Sequence, residues 1–209
     1  MIRPAGFRGA AFGNAAEGNA RDDAVARSKM SVALGIPEQW AALRQVHGAV
    51  VHRVVQPGVA GDGDALVTDV PGLPLVVATA DCMPIVVEGA RTVAVIHAGW
   101  RGVASGVIAA GLDAMRALGD VPERAAIGPS IGPCCYEVGD DVIEALGGYR
   151  AVTTAGAQSA DLWAAAIDQL HSVDVWSADS CTFDDPAYRS FRRNGTAQRQ
   201  VAVAWVPQG

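Results

Sequence analysis

Cysteine is too scarce here for a disulfide framework: the 209-residue chain has four, and two of them, Cys134 and Cys135, are adjacent, where a mutual disulfide would be strained. Reduced thiols follow, so each cysteine is weighed as a packing residue, a metal ligand or a nucleophile. Net positive charge is also missing. A formal charge of −6 and a pI near 5.1 leave no global field to attract nucleic acid or an anionic membrane. No apolar run reaches the roughly eighteen residues of a membrane span, and no apolar stretch follows the basic residues of MIRPAGFRGAAFGNAAEG. The expectation is a cytoplasmic monomer acting on a small molecule, with neither nucleic acid nor membrane as a partner.

Charged residues are only 18% of the chain, half of it is apolar, and there are 24 glycines, a composition that excludes disorder and suggests a strand-rich α/β protein. No linker, low-complexity segment or repeat divides residues 1–209, which are read as one domain. DDAVARSKMSVAL, ending at Gly35 and Pro37, has helical spacing, and ALRQVHGAVVHRVVQP suggests two short strands around a turn at Gly48. GVAGDGDALVTDVPGLP is turn-rich, with one strand at ALVT. LPLVVATA, PIVVE and TVAVIH are strands, and AGWRGVASGVIAAGLDAMRALG reads as one helix. After a strand at AAI and a Gly-Pro loop come helices starting near Asp140 and at DLWAAAIDQLHSV, then strands at VDVWSAD and VAVAWV.

The strand pair around Gly89-Ala90 interrupts its apolar character at Asp81 and Cys82. If Glu88 faces Arg91 across a two-residue link, Cys82 faces His97, and opposed Cβ atoms lie about 4.5 to 5.5 Å apart. Pro84, which has no N–H to give, should then force a bulge between them. His47 lies at another strand-to-turn junction. Together His47, Cys82 and His97 offer three N or S ligands with an open fourth position, as in a catalytic zinc site; as packing or hydrogen-bonded structural residues they would carry no chemistry. Asp81 could orient a ligand, act as a base, or hold backbone N–H groups.

HAGWRG places glycines and Arg101 at an expected helix start, where an anion such as phosphate could bind or where the glycines could simply permit close packing. Arg189, Arg192, Arg193 and Arg199 read as a solvated basic turn. Acids at Glu137, Asp140 and Asp141 oppose activation of Cys134 and Cys135, and packing suits these thiols; Cys181 is a candidate pocket wall.

The ordered set LRQVHG, TADCMP, HAGWRG, IGPCCYEV and SCTFDDPAYRSFRR resembles the YfiH family, also called the laccase-domain or multicopper polyphenol oxidase family, from about residue 22 onward. The resemblance implies an α/β fold of two mixed β-sheets sandwiched between helices, and a catalytic zinc held by His47, Cys82 and His97. It further implies phosphorolysis of adenosine, inosine, guanosine and methylthioadenosine to free base and ribose 1-phosphate, with adenosine deamination as an added activity. Peptidoglycan-precursor editing and a copper-dependent, laccase-like oxidase activity are its alternatives. Four histidines cannot build several copper sites, although one copper could replace zinc in the same site. Asp81 is the candidate for proton transfer, and Arg101, Gln45, Cys135 and Arg44 are candidate substrate- or phosphate-binding residues. The family's T-R-x-G-G-x-S stretch is absent, leaving Arg8 as the candidate for its nucleoside-facing arginine, and Gln198 replaces the glycine usual before Arg199.

Overall fold

The apolar runs form two sheets laid face to face in a computed structural model, which describes residues 1–208. The first sheet has the order β1 (Ala10–Phe12), β13 (Gln200–Ala204), β6 (Leu75–Thr79), β2 (Ala41–Arg44) and β4 (Gly58–Asp62). The second runs β12 (Asp174–Ser177), β9 (Pro122–Ile127), β7 (Met83–Gly89), β8 (Val93–Ala98), β5 (Ala65–Thr68) and β3 (Val51–Arg53). Both mix parallel and antiparallel neighbours. A separate pair joins β10 (Arg150–Val152) to β11 (Gln158–Ala160). The helices are α1 (Ala24–Leu34), α2 (Trp100–Ala104), α3 (Val107–Ala117), α4 (Asp140–Ala145), α5 (Leu162–Gln169) and α6 (Phe191–Asn194).

Alternation along the strands sends side chains into separate layers. Phe12, Leu75 and Val77 of the first sheet meet Leu66, Val86 and Val95 of the second. Ile85, Val87 and Ile96, on the second sheet's other face, are covered by Ile108, Leu112, Ile143 and Leu162 of α3, α4 and α5. Val76 and Val203, on the outer face of the first sheet, pack against Met30 and Leu34 of α1. The expected pair of sheets between helices is therefore present. Strands covered on both faces explain why β6, β7 and β8 read as unbroken apolar runs.

Several local expectations change. Glu88 pairs with Val93 and Pro84 with His97, so the β7–β8 register is displaced by two residues from the expected one. The turn is longer because the Asp120 carboxylate accepts from Arg91 N, Thr92 N and the Thr92 hydroxyl, at 2.8, 2.8 and 2.9 Å. Pro84 needs no bulge: the N–H of its partner His97 turns away to donate to Asp64 O at 2.7 Å, and Pro84 O accepts from Gly128 N at 2.9 Å.

The expected single helix after Gly99 breaks at Ser105 and Gly106, where Gly106 has φ 83°. The basic turn contains α6, and its arginines are largely bound to carbonyls. Arg193 donates to Thr182 O, Phe183 O and Tyr188 O, and Arg189 donates to Ala15 O.

Candidate metal centre

Two sheet-to-sheet crossings build the site. The chain leaves β2 in the first sheet and enters β3 in the second through residues 45–50, which carry His47. It crosses again from β6 to β7 through residues 80–82, which carry Cys82. Both crossings pass the end of β8, where His97 lies on the face between the sheets, in step with Val95 and Val93. The ligand atoms of His47, Cys82 and His97 all lie within 4.8 Å of one another, so one ion could touch all three. The His47 and His97 rings meet edge to face, with centroids 4.8 Å apart.

A residue overlooked in the sequence organises this trio. Asp64, fully buried ahead of β5, accepts from His97 Nδ1 at 2.8 Å and from the N–H groups of His47 at 2.9 Å and Gly48 at 2.7 Å. Convergence of these N–H groups on one carboxylate accompanies a left-handed His47, with φ 62°. Bonding at Nδ1 leaves Nε2 of His97 free to face Cys82, the usual way a carboxylate orients a metal-binding imidazole. The only sequence hint was an acid immediately before an apolar strand, and GDGD conceals it as a turn.

Burial would raise the Asp64 carboxyl, but hydrogen bonds from His97, Gly48 and His47 hold it below the ordinary value. Burial likewise opposes ionisation of Cys82, yet the imidazoles of His47 and His97 bring its thiol down to about 6. Burial disfavours a charged His97 ring, but Asp64 and then Cys82 raise it to about 9. The two shifts run in the directions that favour the charged form of each group.

The donor set fits one borderline-soft ion: two imidazole nitrogens, one sulfur, and no fourth protein ligand grouped with them among the described residues. Space is reserved as well. A Cβ on Gly99 would lie 3.1 Å from both Cys82 Sγ and His47 Cδ2, so only glycine leaves the trio undisturbed.

Two lobes open from the centre and share His47, Ala80, Cys82 and Phe191. The larger, about 670 Å³, is edged by Arg21, Arg44, Gln45 and Arg199. Arg44 is paired with Asp62 at 2.6 Å. Gln45 bridges to β6 by accepting from Ala78 N at 2.9 Å and donating to Ala78 O at 2.8 Å, and it also accepts from Arg21 at 2.8 Å. Thr79 adds a buried hydroxyl without a hydrogen-bond partner among the described residues.

The smaller lobe, about 260 Å³, is bounded by Trp100, Arg101, Tyr136, Phe191 and Arg192. Arg101 and Arg192 lie over the Trp100 and Tyr136 rings, at 4.3 and 5.4 Å from the centroids. Burial, then the Cys82 charge, pushes the Tyr136 phenol up to about 12 against the two arginines, so it stays a neutral donor.

Three sequence expectations receive different placements. Both Asp81 carboxylate oxygens are occupied, by the Thr182 hydroxyl and Arg192 N at 2.7 Å each, and its backbone has φ 91°. Cys135 groups with Cys134 and Cys181 and does not line either lobe. Arg8 binds Gly89 O at 2.7 Å, by the turn after β7, while Arg21 takes the cleft-facing position. Nothing in the spacing around Arg21 shows that its loop folds over the ends of β2 and β6.

Residues 5–207 match a family model described as multi-copper polyphenol oxidoreductase laccase. A purine nucleoside phosphorylase of Mycobacterium tuberculosis is 37% identical over 198 residues, spanning 86% of this chain and 78% of that protein. One of Xylella fastidiosa is 38% identical over 204 residues, spanning 86% and 77%. Among solved structures, YlmD from Geobacillus stearothermophilus is 31% identical with a TM-score of 0.80, covering 91% of this chain and 82% of that one. The Bacillus licheniformis hypothetical protein YfiH also has a TM-score of 0.80, at 25% identity, with coverage of 90% and 82%. The chain therefore belongs to this laccase-like family, whose relatives include YfiH proteins named purine nucleoside phosphorylase.

Proposed function

We propose, taking that family membership as the premise, that the protein is a zinc-dependent purine nucleoside phosphorylase acting on adenosine, inosine, guanosine or methylthioadenosine. The observation carrying this reading is the His47–Cys82–His97 group at the junction of a cationic lobe and an aromatic one. The names of the 37–38% identical relatives point to the same chemistry.

In phosphorolysis a phosphate oxygen bonds to ribose C1′, the glycosidic C–N bond breaks, and the departing purine takes a proton. The cationic lobe suits phosphate, with Arg21 and Arg199 at its edge and the Thr79 hydroxyl inside it. The aromatic lobe suits the flat base, with Trp100, Tyr136 and Phe191 as its walls and the neutral Tyr136 phenol as a donor. Zinc held by the trio would supply Lewis acidity to a reacting oxygen. Asp64 keeps His97 directed inward, and the strained Asp81 turn positions Cys82.

Deamination is less well supported by the site. Asp22 in the larger lobe is paired with Arg21 at 2.8 Å, and Asp81 in the smaller has both oxygens bound, so among the described residues neither lobe offers an unpaired carboxylate for proton transfer. The family description favours a copper oxidase as the second reading. His52 and His171 bind Asp62 O and Asp168 O, each at 2.8 Å, away from the trio, so copper chemistry would rest on one His-Cys-His site.

A nucleoside panel assayed with and without phosphate tests the proposal. Phosphate-dependent ribose 1-phosphate is expected. Ammonia without phosphate would indicate deamination, turnover of a muramyl precursor alone would indicate peptidoglycan editing, and oxidation of a phenol alone would indicate the copper reading.

A further inference from the structure

Outside the cleft, the sulfurs of Cys134, Cys135 and Cys181 lie within 4.8 Å of one another, and those of Cys134 and Cys135 are 3.2 Å apart. Two distant chain segments supply them and are tied by backbone bonds: Thr182 N donates to Ser130 O at 3.0 Å, and Ser130 N to Ser180 O at 3.2 Å. Cys135 N donates to Gly132 O at 3.0 Å, while Cys134 O accepts from Thr154 N at 2.9 Å. The Gly132 N–H is directed at Cys181 Sγ, at 3.2 Å. Such N–H donation to sulfur supports a thiolate once it is bound to metal. A Cβ at Gly132 would come within 2.9 Å of the Trp163 ring and 3.4 Å of Cys181 Cβ, so the close approach depends on glycine.

We propose that Cys134, Cys135 and Cys181 form a second metal site that binds Cu(I) through three sulfurs. No His, Asp or Glu completes the group among the described residues, whereas a structural zinc site normally closes with four protein ligands. An all-sulfur, three-ligand set selects a soft monovalent cation. All three cysteines are only half-buried, which leaves an entry path. Copper enters as Cu(I), so no electron is transferred; up to three S–H bonds release protons as Cu–S bonds form.

The test is anaerobic titration of reduced Cys82→Ser protein with Cu(I) against a chromophoric Cu(I) chelator, with X-ray absorption of the loaded sample. One Cu(I) per chain with a sulfur-only shell is expected. Adding Cys134→Ser or Cys181→Ser should weaken binding about tenfold or more, with unchanged near-ultraviolet circular dichroism showing that the fold persists. If one double variant fails to fold, the other decides, and the sulfur-only shell depends on neither. No retained copper in Cys82→Ser, a nitrogen-containing shell, or unweakened binding in a folded double variant would overturn the site.

Discussion

At the residue scale, the candidate metal ligands could be picked out because each stands where an apolar run meets a turn. The two-residue register error left the pairing of Cys82 and His97 plausible for a physical reason: a shift of two keeps a strand residue on the same face. Asp64 was not legible, since its role depends on a contact across the β5–β8 ladder. Asp64→Asn removes the charge that orients His97, and zinc affinity should fall about 10- to 100-fold in a chelator competition. Unchanged affinity would remove Asp64 from the account. Asp81 reads as reactive in sequence, but its two hydrogen bonds make it a positioning residue. Asp81→Asn should lower kcat while preserving both limbs of the kcat–pH profile; loss of one limb would make Asp81 the proton-transfer group instead.

At the scale of elements, long β-branched runs identify β6, β7 and β8, while β1, β4, β10 and β11 escape notice because they have three to five residues and little such character. Turn length was equally hidden. Asp120, about thirty positions from Arg91 and Thr92, fixes it through carboxylate bonds that no local dipeptide reveals. Burial would raise the Asp120 carboxyl, but the Arg91 and Thr92 donors hold it below the usual 3.8. Its stabilising contribution is therefore complete above the ordinary value and disappears as pH falls through the lower folded one. Asp120→Ala should cost about 2 to 4 kcal/mol in urea unfolding at neutral pH. Asp120→Asn should flatten part of the acid limb of stability, and an acid limb identical to that of the unaltered protein would contradict this reading. Gly99→Ala tests the junction of β8 and α2: the added methyl group should reduce zinc affinity while the unfolding midpoint changes little.

For the whole molecule, the two helix-covered sheets do more than bury a core: their crossings bring residues separated by 35 positions to the end of a third strand. That convergence is a tertiary property, as is the placement of Arg21, rather than Arg8, at the cleft. A preformed trio predicts that zinc at about a hundred times its dissociation constant adds roughly 2.7 kcal/mol of stability. Cys82→Ala should lose this increment at that site, and an equal zinc-induced shift of the variant's midpoint would place the stabilising ion elsewhere. The most direct measurement follows ribose 1-phosphate release from a purine nucleoside as metal-free protein is titrated with zinc. Release is predicted to require phosphate, rise in proportion to zinc at the trio, level off at one ion per chain there, and be absent in Cys82→Ala. Full release without metal, or none from any of the four nucleosides once the trio is filled, would contradict the account.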